Sequence, residues 1–311
     1  MLGPSALADG VAQGAAQLEP IVEAMARQLR QAPAIHTDET GIPVRRPDRK
    51  HCHKGHLWVY QSLDELGQAG HCVFVYTPTK HGTGPKDMLG GYTGKVIADA
   101  ASGFDQLFGE GGATETGCWA HTRRKFYDAR SFARADAAEA LALIKKLYRI
   151  ERTADRRKMT MDQRLELRQS ESAPIVEQFR QYLERTRTLY PPSSSLGKAI
   201  TYATNQWPAL NTFLEFGLLP MDNNAAERAL RAPVVGRKNW MFAGSEDGAR
   251  RAATLFSLVA SCRLHGVDPW AYFDDVLRRV QTHPAKRVNE LTPKAWAEAR
   301  KQDSAGPDPP S

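Results

Sequence analysis

The strongest constraint on this chain is a change of hydrophobic period part-way along it. Residues 5–31 repeat at helical spacing, with Leu18, Ile21, Val22, Met25 and Leu29 three or four apart. Residues 35–44, 57–63 and 72–77 are instead short, rich in β-branched and aromatic side chains and separated by Gly, Pro or charged turns. That pattern predicts three consecutive antiparallel strands. Lys95-Val96-Ile97-Ala98-Asp99 supplies a fourth, continuously apolar as a central buried strand must be, and residues 114–119 a fifth. Residues 104–108 read as a short helix between them, and Arg123 is expected to open the next helix. From Ala133 to Met221 helical spacing returns through Leu141, Ile144, Leu147, Tyr148, Leu165, Phe179, Tyr182 and Leu183, broken by the loop Pro191-Pro192-Ser193-Ser194-Ser195. Further helices are expected from Asp222, over 252–264 and over 269–282, with a disordered tail over 303–311.

Acidic residues interrupt the apolar segments. Asp38 lies within Ile35-His36-Thr37-Asp38-Glu39-Thr40, and strand alternation puts it on a face with His36 and Thr40 while Glu39 points the other way. Asp99 ends the fourth strand, and Glu227 sits one turn into the helix that Asp222 can cap at Asn224 or Ala225. Three antiparallel strands, a fourth ending in an acid, a fifth and then helices is the order of a ribonuclease-H-like α/β fold. There the first and fourth strands are neighbours, so Asp38 and Asp99 can converge, and a later helix crossing the sheet can bring Glu227 to them. Three such carboxylates suit divalent metal, because phosphodiester chemistry by two Mg²⁺ ions needs hard oxygen ligands holding them roughly 3.5–4 Å apart. Taken singly, each acid reads more readily as a surface or turn residue. Together, two carboxylates inside apolar strands would be costly without a partner.

The formal net charge is +7, and the surplus is local: residues 123–187 hold 17 Lys and Arg against 10 Asp and Glu. A basic segment of that kind attracts polyanions, nucleic acid above all, although a solvated helical face gives the same count. Around Glu227, Asn223, Asn224, Arg228 and Arg231 can bond phosphate oxygens, and Arg237 and Lys238 lie just beyond. Arg123, Arg124 and Lys125 form a second basic group directly after His121. Four scattered cysteines without a disulfide spacing, together with no signal-like start, point to a reduced cytoplasmic compartment. No apolar run approaches the ~20 residues that cross a bilayer, so no membrane role is expected.

The segments His36-Thr37-Asp38-Glu39-Thr40, Gly55-His56-Leu57-Trp58-Val59-Tyr60, Cys118-Trp119-Ala120-His121-Thr122-Arg123-Arg124-Lys125-Phe126, Asp222 to Arg231 and Gly236 to Ser245 occur in one order. In order and spacing they resemble the transposases of the insertion sequence 66 family, over nearly the whole chain. The resemblance implies a DDE-type DNA transposase, with Asp38, Asp99 and Glu227 as the catalytic, metal-binding acids for Mg²⁺ or Mn²⁺. It implies strand cleavage followed by 3′-OH strand transfer, with DNA at the element ends and at the target as partner. It also implies a homo-oligomer assembled on DNA and accessory proteins of the same element. Family members begin with a longer N-terminal portion bearing a zinc-binding module and DNA-recognition helices, so this chain is expected to be N-terminally truncated. The family also has Gly and Tyr where Ala100 and Ala101 stand.

The expected organisation is a helical lead-in (1–32), a first core part (33–132), a helical basic insertion (133–221), a second core part with the glutamate helix (222–265), a C-terminal helical segment (266–302) and the tail (303–311). Two other readings stay open. One is a catalytically impaired chain that binds DNA or regulates a full-length partner, and the other is a nuclease that cuts without joining. His121 is an accessory candidate beside the metal or DNA. His51, Cys52, His53 and His56 with Cys118 and His121 match no standard zinc spacing.

Overall fold

A computed structural model describes residues 3–48, 50–80, 84–99 and 103–304. The helix α1 (Pro4–Leu29) leads into β1 (Ala34–Val44), β2 (His53–Leu63), β3 (Ala69–Thr77) and the short α2 (Gly84–Leu89). Next come β4 (Lys95–Ile97), β5 (Thr114–Thr116) and α3 (Trp119–Asp128). The helical block is α4 (Arg134–Arg156), α5 (Met161–Leu167), a π-helical turn (Arg168–Ser172), α6 (Ala173–Thr186), α7 (Ser195–Asn205) and α8 (Trp207–Asn211). The chain then runs through α9 (Asn224–Trp240), α10 (Glu246–Leu264), α11 (Pro269–Arg279) and α12 (Pro293–Ser304). This is a mixed α/β protein with a five-stranded mixed sheet and many helices.

The chain divides into two compact units, one of Met1–Asp64, Gln68–Tyr92 and Ala225–Ser311, the other of Glu65–Gly67 and Thr93–Asn224. In the first, β1, β2 and β3 form an antiparallel meander in which Asp38 stands opposite Val59, and Val59 opposite Phe74. Ile42, Val44, Leu57, Val59, Cys72 and Phe74 share one core with Ala226 and Leu230 of α9 and Ala249 and Ala253 of α10. These two helices therefore cover the face to which the even-numbered residues of β1 point. The outer edge of β3 would present unpaired backbone groups, and α10 satisfies them with two buried serines. Ser261 Oγ accepts from the Cys72 N–H and donates to its carbonyl, both at 3.0 Å, and Ser257 Oγ accepts from the Phe74 N–H at 2.8 Å.

In the second unit β4 and β5 pair in parallel, and α3, α4, α6 and α7 close around a core of Trp119, Phe126, Phe179, Tyr182 and Phe213. The Trp119 ring meets Phe179 edge-on at 5.3 Å, and its indole N–H donates to the Leu210 carbonyl at 2.9 Å. That anchoring explains why α3 begins at Trp119 rather than at Arg123 as the sequence suggested: the Trp119 backbone N–H already donates to Met221. Arg168 is 1% exposed and grips Glu151 with two parallel bonds of 2.8 and 2.7 Å, while donating to the Phe213 and Phe216 carbonyls. Asp303 and Ser304 close α12, whereas the rest of the expected tail, 305–311, lies outside the described residues.

Candidate functional site

Asp38 is half-buried in the middle of β1, on the face that α9 and α10 cover, and its Oδ1 accepts from the Glu39 N–H at 2.7 Å. Glu39, one residue on, faces the other way and is engaged there. Its Oε2 bonds His56 Nδ1 at 2.7 Å and its Oε1 meets Lys80 Nζ at 2.9 Å. Burial alone would raise the Glu39 carboxyl, but the hydrogen bonds from His56 and Lys80 outweigh it and hold the group below its usual range.

Glu227 follows Ala226, which is buried against the same sheet face as Asp38's neighbours, and is itself half-buried. On a helical wheel it stands about 60° from Leu230, at the edge of the stripe that α9 buries. The far end of α9 is pinned to β1 next to Asp38. Arg237 Nη1 donates to the Gly41 carbonyl at 2.5 Å and to Thr40 Oγ1 at 3.2 Å, and Ala243 exchanges backbone bonds with Pro43 and Arg45. A helix so tied keeps a fixed register along the strand. Arg228, Arg231 and Lys238 are exposed on α9, and Trp240 packs against the core beneath it.

In the other unit, Asp99 lies two residues past β4, with its side chain 34% exposed and its Oδ2 3.9 Å from His121 Nε2 on α3. Arg123, Arg124 and Lys125 project from α3 into solvent, with Lys125 Nζ over the Tyr202 ring at 4.4 Å. Cys118 is buried, accepts from the Asn223 N–H at 3.2 Å, and has its thiol pushed up to about 12 by burial. Asn223 is fully buried, so its side chain has no surface to offer a phosphate. Asp222 caps the start of α9: Oδ1 accepts from the Asn224 N–H at 3.1 Å and Oδ2 from the Asn224 amide at 2.7 Å. The Tyr148 hydroxyl on α4 also donates to Asp222 Oδ2, at 3.0 Å. Sequence reasoning placed Tyr148 among core residues at helical spacing, and no local signal marks it as the residue that holds this cap. The segment at Ala100 and Ala101 lies outside the described residues.

Two of the histidines raised as metal ligands have other partners in the first unit. His56 holds Glu39, and His53 Nε2 lies 3.3 Å from the Tyr76 hydroxyl. All four cysteines are free thiols, of which only Cys52 is exposed.

An acid-bearing strand whose face is covered by an acid-bearing helix, with a basic helical block preceding that helix in the chain, defines a class of mixed α/β proteins. Comparison with known families narrows the class. The family described as "Transposase IS66 family" matches residues 1–251, and the "IS66 C-terminal element" matches residues 257–294. The chain belongs to the IS66 transposase family. It is 34% identical over 318 residues to "Uncharacterized protein y4hP" of Sinorhizobium fredii (strain NBRC 101917 / NGR234), covering 96% of this chain and 57% of that protein. It is 30% identical over 285 residues to "Uncharacterized protein y4jD" of the same strain, covering 88% of this chain and 55% of that protein. The chain thus spans about half the length of the curated relatives it matches. Among the described residues no helix is long and apolar enough to cross a membrane.

Proposed function

We propose that the chain carries the catalytic part of a DDE DNA transposase on a ribonuclease-H-like core, with Asp38, Asp99 and Glu227 as the catalytic acids. The observation that carries this reading is the alternation of β1, in which Asp38 points to the face covered by α9 while the neighbouring Glu39 is neutralised on the other face by His56 and Lys80. The donor chemistry fits a hard divalent cation, because carboxylate oxygens are the ligands Mg²⁺ takes alongside the water it retains. Mg²⁺ or Mn²⁺, when bound, supplies activation of the attacking oxygen and neutralisation of the leaving one. The chain's own residues do the rest. Arg237 and the Ala243 bridge fix α9 against β1, the Asp222 cap fixes its start, and His121 orients Asp99. Arg123, Arg124, Lys125, Arg228, Arg231 and Lys238 bind phosphate oxygens of element-end and target DNA. Asn224 supports the cap, and the fully buried Asn223 is left out of the phosphate-binding set.

The reaction is strand cleavage and joining of the freed 3′-OH to target DNA, in a reduced cytoplasmic compartment and within a homo-oligomer assembled on DNA. Accessory proteins of the same element are further partners in this reading. A strand-transfer assay on pre-cleaved ends, with and without Mg²⁺, tests the reading against its alternatives. Mg²⁺-dependent joined product that disappears in Asp38→Ala supports it. Cut but unjoined product indicates a nuclease, and DNA binding with no Asp38-dependent product indicates a regulatory partner.

A further inference from the structure

Part of the positive surplus of the helical block has a definite address. On α4 every acid is engaged: Asp136 accepts from the Tyr190 hydroxyl, Glu139 pairs with Arg185 at 2.7 Å, Glu151 with Arg164 and Arg168, and Asp155 with Arg164. The block's other arginines that meet carboxylates do so on the same terms, as Arg180 does with Glu177 and Glu184. Lys145, Arg149, Arg152 and Arg156 differ. All four are exposed, and among the described residues none has a carboxylate partner. The one side-chain bond from the group runs from Arg156 Nε to the Arg152 backbone carbonyl at 3.3 Å.

Their spacing of four, three and four residues confines them to a narrow arc of the helix, and eleven residues at 1.5 Å each make the row about 16 Å long. Like charges three and four apart repel, so the row works against the helix that bears it. Attraction to the helix dipole accounts for cations in the last turn, at Arg152 and Arg156, but not for Lys145 and Arg149 further in. A straight, uncompensated row of cations with no apolar surface between them matches one ligand chemistry, the regularly spaced phosphates of duplex DNA.

We propose that the row Lys145–Arg149–Arg152–Arg156 is a duplex-DNA backbone-binding site in the second unit, additional to the basic residues around the three acids. It takes phosphates without reading bases, because base readout requires groups that reach base edges. The proposal rests on the transposase reading only for the identity of the polyanion.

The test is equilibrium binding of a short duplex of arbitrary sequence to the whole chain in EDTA, across a range of salt. The variant is Lys145→Gln, Arg149→Gln, Arg152→Gln and Arg156→Gln together. The control is Arg278→Gln, Arg279→Gln, Arg287→Gln and Arg300→Gln, which changes net charge equally in the first unit. The row variant is expected to weaken binding by about tenfold or more near physiological salt and to flatten the log–log salt slope by about 0.9 for each phosphate it no longer neutralises. It is also expected to melt no lower than the parent chain, which separates weakened phosphate binding from unfolding. The control is expected to keep the slope. Unchanged affinity and slope in the row variant, equal weakening in the control, or no duplex binding by the parent chain would each overturn the proposal. Asp38-dependent joining is read in a separate assay with Mg²⁺, so failure of the row leaves the catalytic reading standing.

Discussion

Asp38 and Glu39 are neighbours in sequence, yet the sheet gives them different work. Glu39 is held in a charged network with His56 and Lys80, whereas Asp38 looks toward the layer that contains Glu227's helix. Alternation made that division legible from sequence alone, since it needs only the period of a strand. The Glu151–Arg168 pair was not legible, because two charged residues 17 positions apart on different helical segments each read as solvated surface. Inside the fold it is a buried ion pair, and removing Arg168 leaves Glu151 with Arg164 alone and strips the Phe213 and Phe216 carbonyls of their donor. Arg168→Met is therefore expected to destabilise the chain by roughly 3–5 kcal/mol, and Arg168→Met with Glu151→Leu by markedly less, as urea unfolding of both variants will measure. His71 provides a titration test. Burial, reinforced by His265 and Lys294, lowers its pKa from the ordinary 6.5 to about 4. Between those values the unfolded chain takes up a proton that the folded chain refuses, so folded stability falls as pH drops from 6.5 toward 4. His71→Gln is expected to lose roughly 2–3 kcal/mol less than the parent between pH 7 and 4.5.

At the scale of elements, α9 and α10 act as a lid on one face of the meander, and each is secured by polar bonds as well as by burial. The hydrophobic spacing of both helices was readable from sequence, but the edge-strand bonds of Ser257 and Ser261 were not. A serine in an apolar helix carries no mark of the strand edge it will meet. Ser261→Ala strands the Cys72 N–H and carbonyl in the core, and a loss of about 1–3 kcal/mol is expected in thermal or urea unfolding. The cap of α9 was anticipated at Asp222, though not the Tyr148 hydroxyl that steadies it. α2 also escaped notice, because a six-residue helix opening on Gly84 and Pro85 is too short to display a period.

For the whole molecule, the sequence located a surplus of cations in residues 123–187, and the fold resolves part of it into one row on α4. Composition cannot do this, because pairing depends on which helices pack together. Arg164, Arg168, Arg180 and Arg185 are neutralised by carboxylates, three of them from helices other than their own or from across a turn, while Lys145, Arg149, Arg152 and Arg156 are not. Relieving the row's own repulsion should raise stability by about 0.2–0.5 kcal/mol per like-charged pair in the glutamine variant at low salt. The three acids proposed for catalysis are spread from β1 to α9, and their common role is a claim about metal. Mn²⁺ titration followed by electron paramagnetic resonance, comparing Asp38→Asn with Glu39→Gln, addresses it without requiring a complete transposition reaction. The account predicts that Asp38→Asn weakens Mn²⁺ binding by about tenfold or more while Glu39→Gln, though less stable, keeps the parent affinity. Unchanged binding in Asp38→Asn, or loss confined to Glu39→Gln, would contradict it.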